Sequence, residues 1–119
     1  MSSTEPDLDR HDVVDVTTVG RLTGRLHRIE IWFAQHNRSL YLLSGGRDRS
    51  DWVCNFVVDS MVMVRAGGLG HRGLGRVVVD PIEERFARDT VFAKYASRYG
   101  GDLTEWRESA FPIAIDLVS

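Results

Sequence analysis

The stretch LHRIEIWFA, Leu26 to Ala34, constrains the fold of this chain more than any other. Ile29, Ile31 and Phe33 alternate with Arg28, Glu30 and Trp32, which is the period of a strand with one apolar face and one polar face. Five further runs read as strands from β-branched content or alternation: VVDVTTV (Val13–Val19), LYLLS (Leu40–Ser44), MVMVRA (Met61–Ala66), RVVVD (Arg76–Asp80) and FPIAIDLV (Phe111–Val118). Gly20 and Gly24 bracket a turn, QHNRS (Gln35–Ser39) is a hairpin loop, and GGLGHRG (Gly67–Gly73) reads as a glycine-rich loop. Ser50 or Asp48 can cap a short helix running to about Val58. A longer helix opens at Asp80 as N-cap, with Pro81 in the first position and Glu83 three residues after the cap. Its apolar positions are Ile82, Phe86, Ala93 and Ala96, together with Phe92, Tyr95 and Tyr99, and Gly100-Gly101 ends it. A last short helix covers Leu103 to Ser109. Hairpins dominate and helical crossovers are few. The expected fold is therefore mainly β with flanking helices, a six-stranded antiparallel barrel rather than a doubly wound parallel sheet.

A chain of 119 residues holds one core, expected over residues 13–119, with residues 1–12 a flexible polar N-terminus. The net charge of -2 gives no global attraction to nucleic acid, so positive charge matters only where it is local. The single cysteine, Cys54, allows no intrachain disulfide, MSSTEPDLDRHD has no apolar signal core, and no stretch is long enough to span a bilayer. These features imply a cytoplasmic protein and make the sequon at Asn37 a chance match.

Local positive charge is concentrated in VTTVGRLTGRLHRIEIWF, where Arg21, Arg25 and Arg28 surround one glycine-containing turn. Backbone N–H groups near Gly20 and Gly24 can approach a ligand closely, and the planar arginine fork suits phosphate or carboxylate. The alternative is a solvated basic turn balanced by surface acids. In SGGRDRSDWVCNF (Ser44–Phe56) a strand ends, glycines turn the chain and a helix begins, so unpaired N–H groups lie near Trp52 and Asn55 on one helix face. That set could hold a planar heterocycle, or Trp52 could simply anchor the helix to the core. Tyr95, Tyr99 and Trp106 either pack the long helix on the barrel or line a substrate pocket. Gly68-Leu69-Gly70-His71-Arg72-Gly73 matches G-x-G-x-x-G literally but precedes a strand, so it is not a dinucleotide fingerprint. The four histidines show no metal-ligand spacing, and no nucleophile has a visible base.

In order along the chain, TTVGRLTGR…HRIEIWF, LYLLSGGRDRSDWVCNF, VMVRAGG and FPIAIDL resemble the deazaflavin-dependent nitroreductase/quinone reductase family over residues 13 to 118. The resemblance implies a split β-barrel related to the pyridoxamine-phosphate oxidases. It also implies coenzyme F-420, a deazaflavin with a phosphate and an oligoglutamate tail. Arg21, Thr23, Gly24 and Arg25 occupy the family's G-R-x-[ST]-G-[RK] turn, which meets phosphate and tail. Arg28 and Trp32 would face the cofactor, Ser44, Gly45 and Gly46 would touch the ring edge, and Trp52 and Asn55 would sit beside the ring. Tyr95 and Tyr99 fall where relatives place substrate-side tyrosines and are the candidate proton donors. Leu22 stands where many relatives have lysine, the SGGRDRSD loop is one residue shorter than in the best-studied branch, and the N-terminal extension is short. The implied reaction is hydride transfer from reduced deazaflavin to a quinone, enone or nitroaromatic, with no metal. The alternatives are an FMN-binding split-barrel flavoprotein and a non-enzymatic F-420 carrier. A small-molecule redox substrate is the expected partner, and a homodimer is possible.

Overall fold

The structure, a computed structural model, describes residues 7–45, 51–99 and 101–118. Among them are strands β1 (Val14–Val19), β2 (Leu26–Ile31), β3 (Phe33–His36), β4 (Ser39–Ser44), β5 (Met61–Ala66), β6 (Leu69–Val77) and β7 (Phe111–Leu117). Helix α1 spans Asp51–Val58, α2 spans Pro81–Ala96 and α3 spans Thr104–Ser109. All strand pairs are antiparallel, in the order β2-β1-β5-β6-β7-β4-β3.

The two ends of that order are joined by one residue. β2 pairs with β1, β3 pairs with β4, and only Trp32 lies between them. Successive Cα atoms are about 3.8 Å apart, so the sheet must curl until its opposite edges meet at Trp32. This is the closure of a split barrel, and it explains the strand count. The run from Leu26 to Ala34 expected as one strand is two, because it leaves one partner strand for another at Trp32. Seven strands result where six were expected.

Two apolar layers follow from the curl. Val14, Val16, Phe33, Leu40, Leu42, Val62, Val64, Ile113 and Ile115 fill the barrel, and α1 inserts Trp52, Val53 and Phe56 among them. A second layer, including Tyr41, Leu43, Val78 and Ala114, is covered by Ala87, Val91 and Tyr95 of α2. β4 therefore contributes to both layers, which explains its unbroken LYLL run, whereas β5 alternates buried and exposed because only one face is covered. The buried stripe of α2 is Ala87-Val91-Tyr95, not the expected one through Ile82 and Phe86, both of which are exposed. α2 also stops at Ala96 rather than at Gly100-Gly101, since the N–H groups of Arg98 and Tyr99 both return to the Tyr95 carbonyl.

Two other expectations change. The loop expected over Gly67–Gly73 is only a two-residue turn: Gly67 and Gly68 have φ of 60° and 83°, and Ala66 pairs with Leu69 across it. The rest is β6. A Cβ on Gly75 would sit 2.9 Å from Phe56, and one on Gly73 2.5 Å from Ile115, so these glycines admit α1 and β7 rather than turn the chain. At its other end RVVVD leaves the sheet after Val77 to reach the Asp80 cap of α2. Within the N-terminal segment, Leu8 is 2% exposed in the core. The Leu8 N–H donates to the Gln35 side-chain carbonyl at 2.7 Å, and Lys94 Nζ donates to the His11 carbonyl at 2.7 Å.

Candidate functional site

The β1–β2 hairpin carries a cavity at each end. At the turn, the Gly20 N–H donates to the Arg25 carbonyl at 2.7 Å and the Gly24 N–H to the Gly20 carbonyl at 2.8 Å. Gly24 has φ 74°, in the left-handed region, and a Cβ on Gly20 would lie 2.9 Å from the Arg25 carbonyl oxygen. The Arg25 N–H donates to Thr23 Oγ1 at 3.2 Å. These N–H groups are thus engaged within the turn and, contrary to the sequence expectation, are not what it offers a ligand. It offers the guanidinium groups. Asn55 on α1 positions one of them: its Oδ1 accepts from the Arg21 N–H at 3.1 Å and from Arg21 Nη1 at 2.9 Å, while its Nδ2 donates to buried Thr18 at 3.1 Å. Asp51 lies 3.6 Å from Arg21 Nη2. The resulting cavity of about 210 Å³ is lined by Arg21, Thr23, Arg25, His27, Asp51 and Asn55 with the turn backbone. Two guanidinium groups face a single carboxylate, a donor set suited to an anion.

The second cavity, about 560 Å³, is bounded by Val13, Ile31, Leu43 and Leu103 on its apolar sides and by Trp32, Tyr99, Trp106, Glu30 and Gly45. Its size falls in the range of roughly 300–1,000 Å³ usual for small-molecule sites. Trp32 organises it. The indole stacks on Tyr95 with centroids 4.2 Å apart and planes 7° from parallel. Tyr99 and Trp106 stand edge-on to it at 5.2 and 5.7 Å.

The two tyrosines differ in availability. The Tyr95 hydroxyl accepts the Phe33 N–H at 3.0 Å, donates to the Asp12 carbonyl at 2.6 Å and lies 2.9 Å from the Phe33 carbonyl. Its ring is buried, and that burial pushes the phenol up to about 12. These bonds tie the Tyr95 hydroxyl to the backbone of β3 and of the N-terminal segment. Tyr99 is 50% exposed and lines the cavity.

Of the other expected ligand contacts, Arg21, Thr23, Arg25 and Asn55 gather at the first cavity, with Gly24 shaping the turn, and Trp32 and Gly45 lie at the second. Arg28 sits on β2 between them, exposed and 3.6 Å from Asp15. Ser44 is buried at the end of β4, and Gly46 lies outside the described residues. Trp52 is buried beside Phe56, with centroids 5.7 Å apart, and is not among the residues lining either cavity. Sequence reading missed His27, Asp51 and Glu30 as lining residues. His27 and Glu30 stand in the alternating run but carry no motif, and Asp51 is one of several acids near the start of α1.

A curled antiparallel barrel of this kind, with an arginine-rich turn and an aromatic cavity on one hairpin, is a split-barrel fold. The same architecture recurs in an F-420-dependent reductase (13% identity, 88% of this chain and 94% of that one, TM-score 0.71). It recurs in a pyridoxamine 5′-phosphate-oxidase-like protein of Listeria innocua (19% identity, 94% and 88%, TM-score 0.70). An FAD-binding protein of Mesorhizobium loti also has it (15% identity, 94% and 85%, TM-score 0.65). No curated protein matches the sequence. The family model of F420H(2)-dependent quinone reductase matches residues 3–117, and the chain belongs to that family. It is accordingly an oxidoreductase dependent on coenzyme F-420. The charge of the arginine turn fits the anionic part of that cofactor.

Proposed function

We propose that the protein reduces an electrophilic organic acceptor, a quinone, enone or nitroaromatic, with the cofactor's anionic tail at the arginine turn and its redox ring toward the Trp32 cavity. One observation carries this reading: two cavities of unlike chemistry lie at the two ends of one hairpin. Leu26 borders the first and Ile31 the second, about 17 Å apart along β2 at the usual rise per residue. Reduced deazaflavin, when bound, supplies the hydride. Arg21 and Arg25 hold the tail; Trp32, fixed by its stack on Tyr95, gives the ring end a rigid wall. Tyr99 donates the phenolic proton that accompanies the hydride, so that a quinone becomes a hydroquinone, and it recovers a proton from solvent through its exposed side.

Titration with oxidised F-420, followed by deazaflavin fluorescence, tests the placement, with FMN titrated in parallel. Saturation at micromolar or lower F-420 is expected, and Arg21→Ala should weaken binding about tenfold through loss of a charge-assisted contact. An unchanged dissociation constant in that variant would remove the arginine turn from the site. Tight binding of FMN instead of F-420 would replace the cofactor reading itself.

A further inference from the structure

The two cavities carry opposite charge. Arg21 and Arg25 outnumber Asp51 at the first, whereas Glu30 is the only charged side chain among the described residues lining the second. Among the described residues Glu30 has no ion-pair partner; Asp15, directly opposite it across the β1–β2 ladder, pairs with Arg28 at 3.6 Å. Three aromatic side chains line the same cavity as Glu30. The planes of Tyr99 and Trp106 lie 74° and 87° from that of Trp32, so the walls meet nearly at right angles. One face of Trp32 is occupied by Tyr95, which holds the indole in place. The remaining lining, Val13, Ile31, Leu43 and Leu103, is aliphatic, and Tyr99 at half exposure leaves the mouth open.

Three aromatic rings and, among the described residues, one unpaired carboxylate and no cationic side chain line this largely apolar cavity, an environment that favours a compact organic cation. Among the described lining residues no cationic side chain offsets the desolvation of an anion. From this we infer that the Trp32–Tyr99–Trp106 cavity recognises a positively charged organic group, a quaternary or protonated amine or a cationic heteroaromatic ring. This deepens the proposed function: the preferred acceptors of the enzyme carry such a group. That last step rests on the placement of the acceptor at this cavity; the cation site does not.

The test needs no cofactor. Choline and its uncharged isostere 3,3-dimethyl-1-butanol are titrated into the purified protein, with tryptophan fluorescence as the readout and Trp32 and Trp106 as reporters. Choline is expected to bind at least about tenfold more tightly than the isostere. The ratio should collapse toward one in Glu30→Gln, whose exposed position leaves folding intact, and choline binding should be lost in Trp106→Ala. Equal affinity for the two probes, or no saturation by choline at millimolar concentration, overturns the inference. A second arm compares kcat/KM for a neutral quinone and the same quinone bearing a trimethylammonium group, in wild type and Glu30→Gln. A wild-type preference for the cationic quinone that the variant loses supports the inference for the acceptor. Choline binding without that preference leaves the cation site standing and removes the acceptor from it, while F-420 binding without choline binding removes the cation site alone.

Discussion

Tyr95 and Tyr99 are four positions apart and equally plausible as acid groups by residue type, yet their surroundings give them different work. Tyr95→Phe removes a hydroxyl bonded to the Phe33 N–H and the Asp12 carbonyl, leaving buried backbone groups unpaired. A loss of about 1–3 kcal/mol in denaturant unfolding is expected, with cofactor affinity retained. Tyr99→Phe should leave stability within about 0.5 kcal/mol and lower kcat, which steady-state assays would read; full turnover would dismiss Tyr99 as the proton donor. Asn55 works through its neighbour. It ties Arg21 to Thr18, so Asn55→Ala should weaken F-420 binding through misplacement of that guanidinium and should also lower the melting temperature. A conservative Asn55→Asp change retains an acceptor for Arg21 but removes the donor to Thr18, and partial recovery of affinity is the expected result.

Between elements, the outer face of the sheet is joined to α2 by a charged network. Arg76 on β6 donates to both Glu83 oxygens at 2.8 and 2.7 Å and to Asp116 on β7 at 2.7 Å, while Tyr41 on β4 donates to Glu83 at 2.8 Å. The Arg76 hydrogen bonds hold the Glu83 carboxyl down to about 2, from an ordinary value of 4.5. Burial and the Glu83 contact raise the Tyr41 phenol to about 12. A carboxyl depressed in the folded state binds fewer protons there than when unfolded. Its contribution is therefore complete above about pH 4.5 and lost as the pH falls toward 2. Urea midpoints measured from pH 6 to pH 2.5 should fall, and Glu83→Gln should flatten that fall at a cost of about 1–2 kcal/mol at neutral pH. One residue before Arg76 on β6, Gly75→Ala would press a methyl group against Phe56 and should cost about 1–3 kcal/mol by forcing α1 outward.

At the scale of the whole molecule, the N-terminal segment packs on the barrel seam. Residues 8–12 cross the seam at β3, where Leu8 is buried, Asp12 receives the Tyr95 hydroxyl and Asp9 accepts the Gln35 N–H at 2.8 Å. Leu8→Ala should lose about 2–4 kcal/mol, measured by thermal or denaturant unfolding, where a frayed terminus would lose nothing.

Much of this architecture was legible in the linear pattern. Alternation in Leu26–Ala34, the turn glycines and the Asp80-Pro81 cap are local features, and local sterics and hydrogen bonding decide them wherever they occur. The arginine turn was legible for the same reason, since its charge and its glycines lie within a few residues. What the sequence could not decide depended on which strand lies beside which. One alternating run became two strands because its ends pair with opposite edges of the sheet. Gly73, read as the end of a loop, is a strand position facing Ile115, and Leu8 of the polar terminus is buried in the core. The pairing of an arginine-lined cavity with an aromatic, acid-bearing one belongs to the tertiary structure alone. It exists only because antiparallel pairing sets the two ends of one hairpin apart and packs helices from elsewhere in the chain against each.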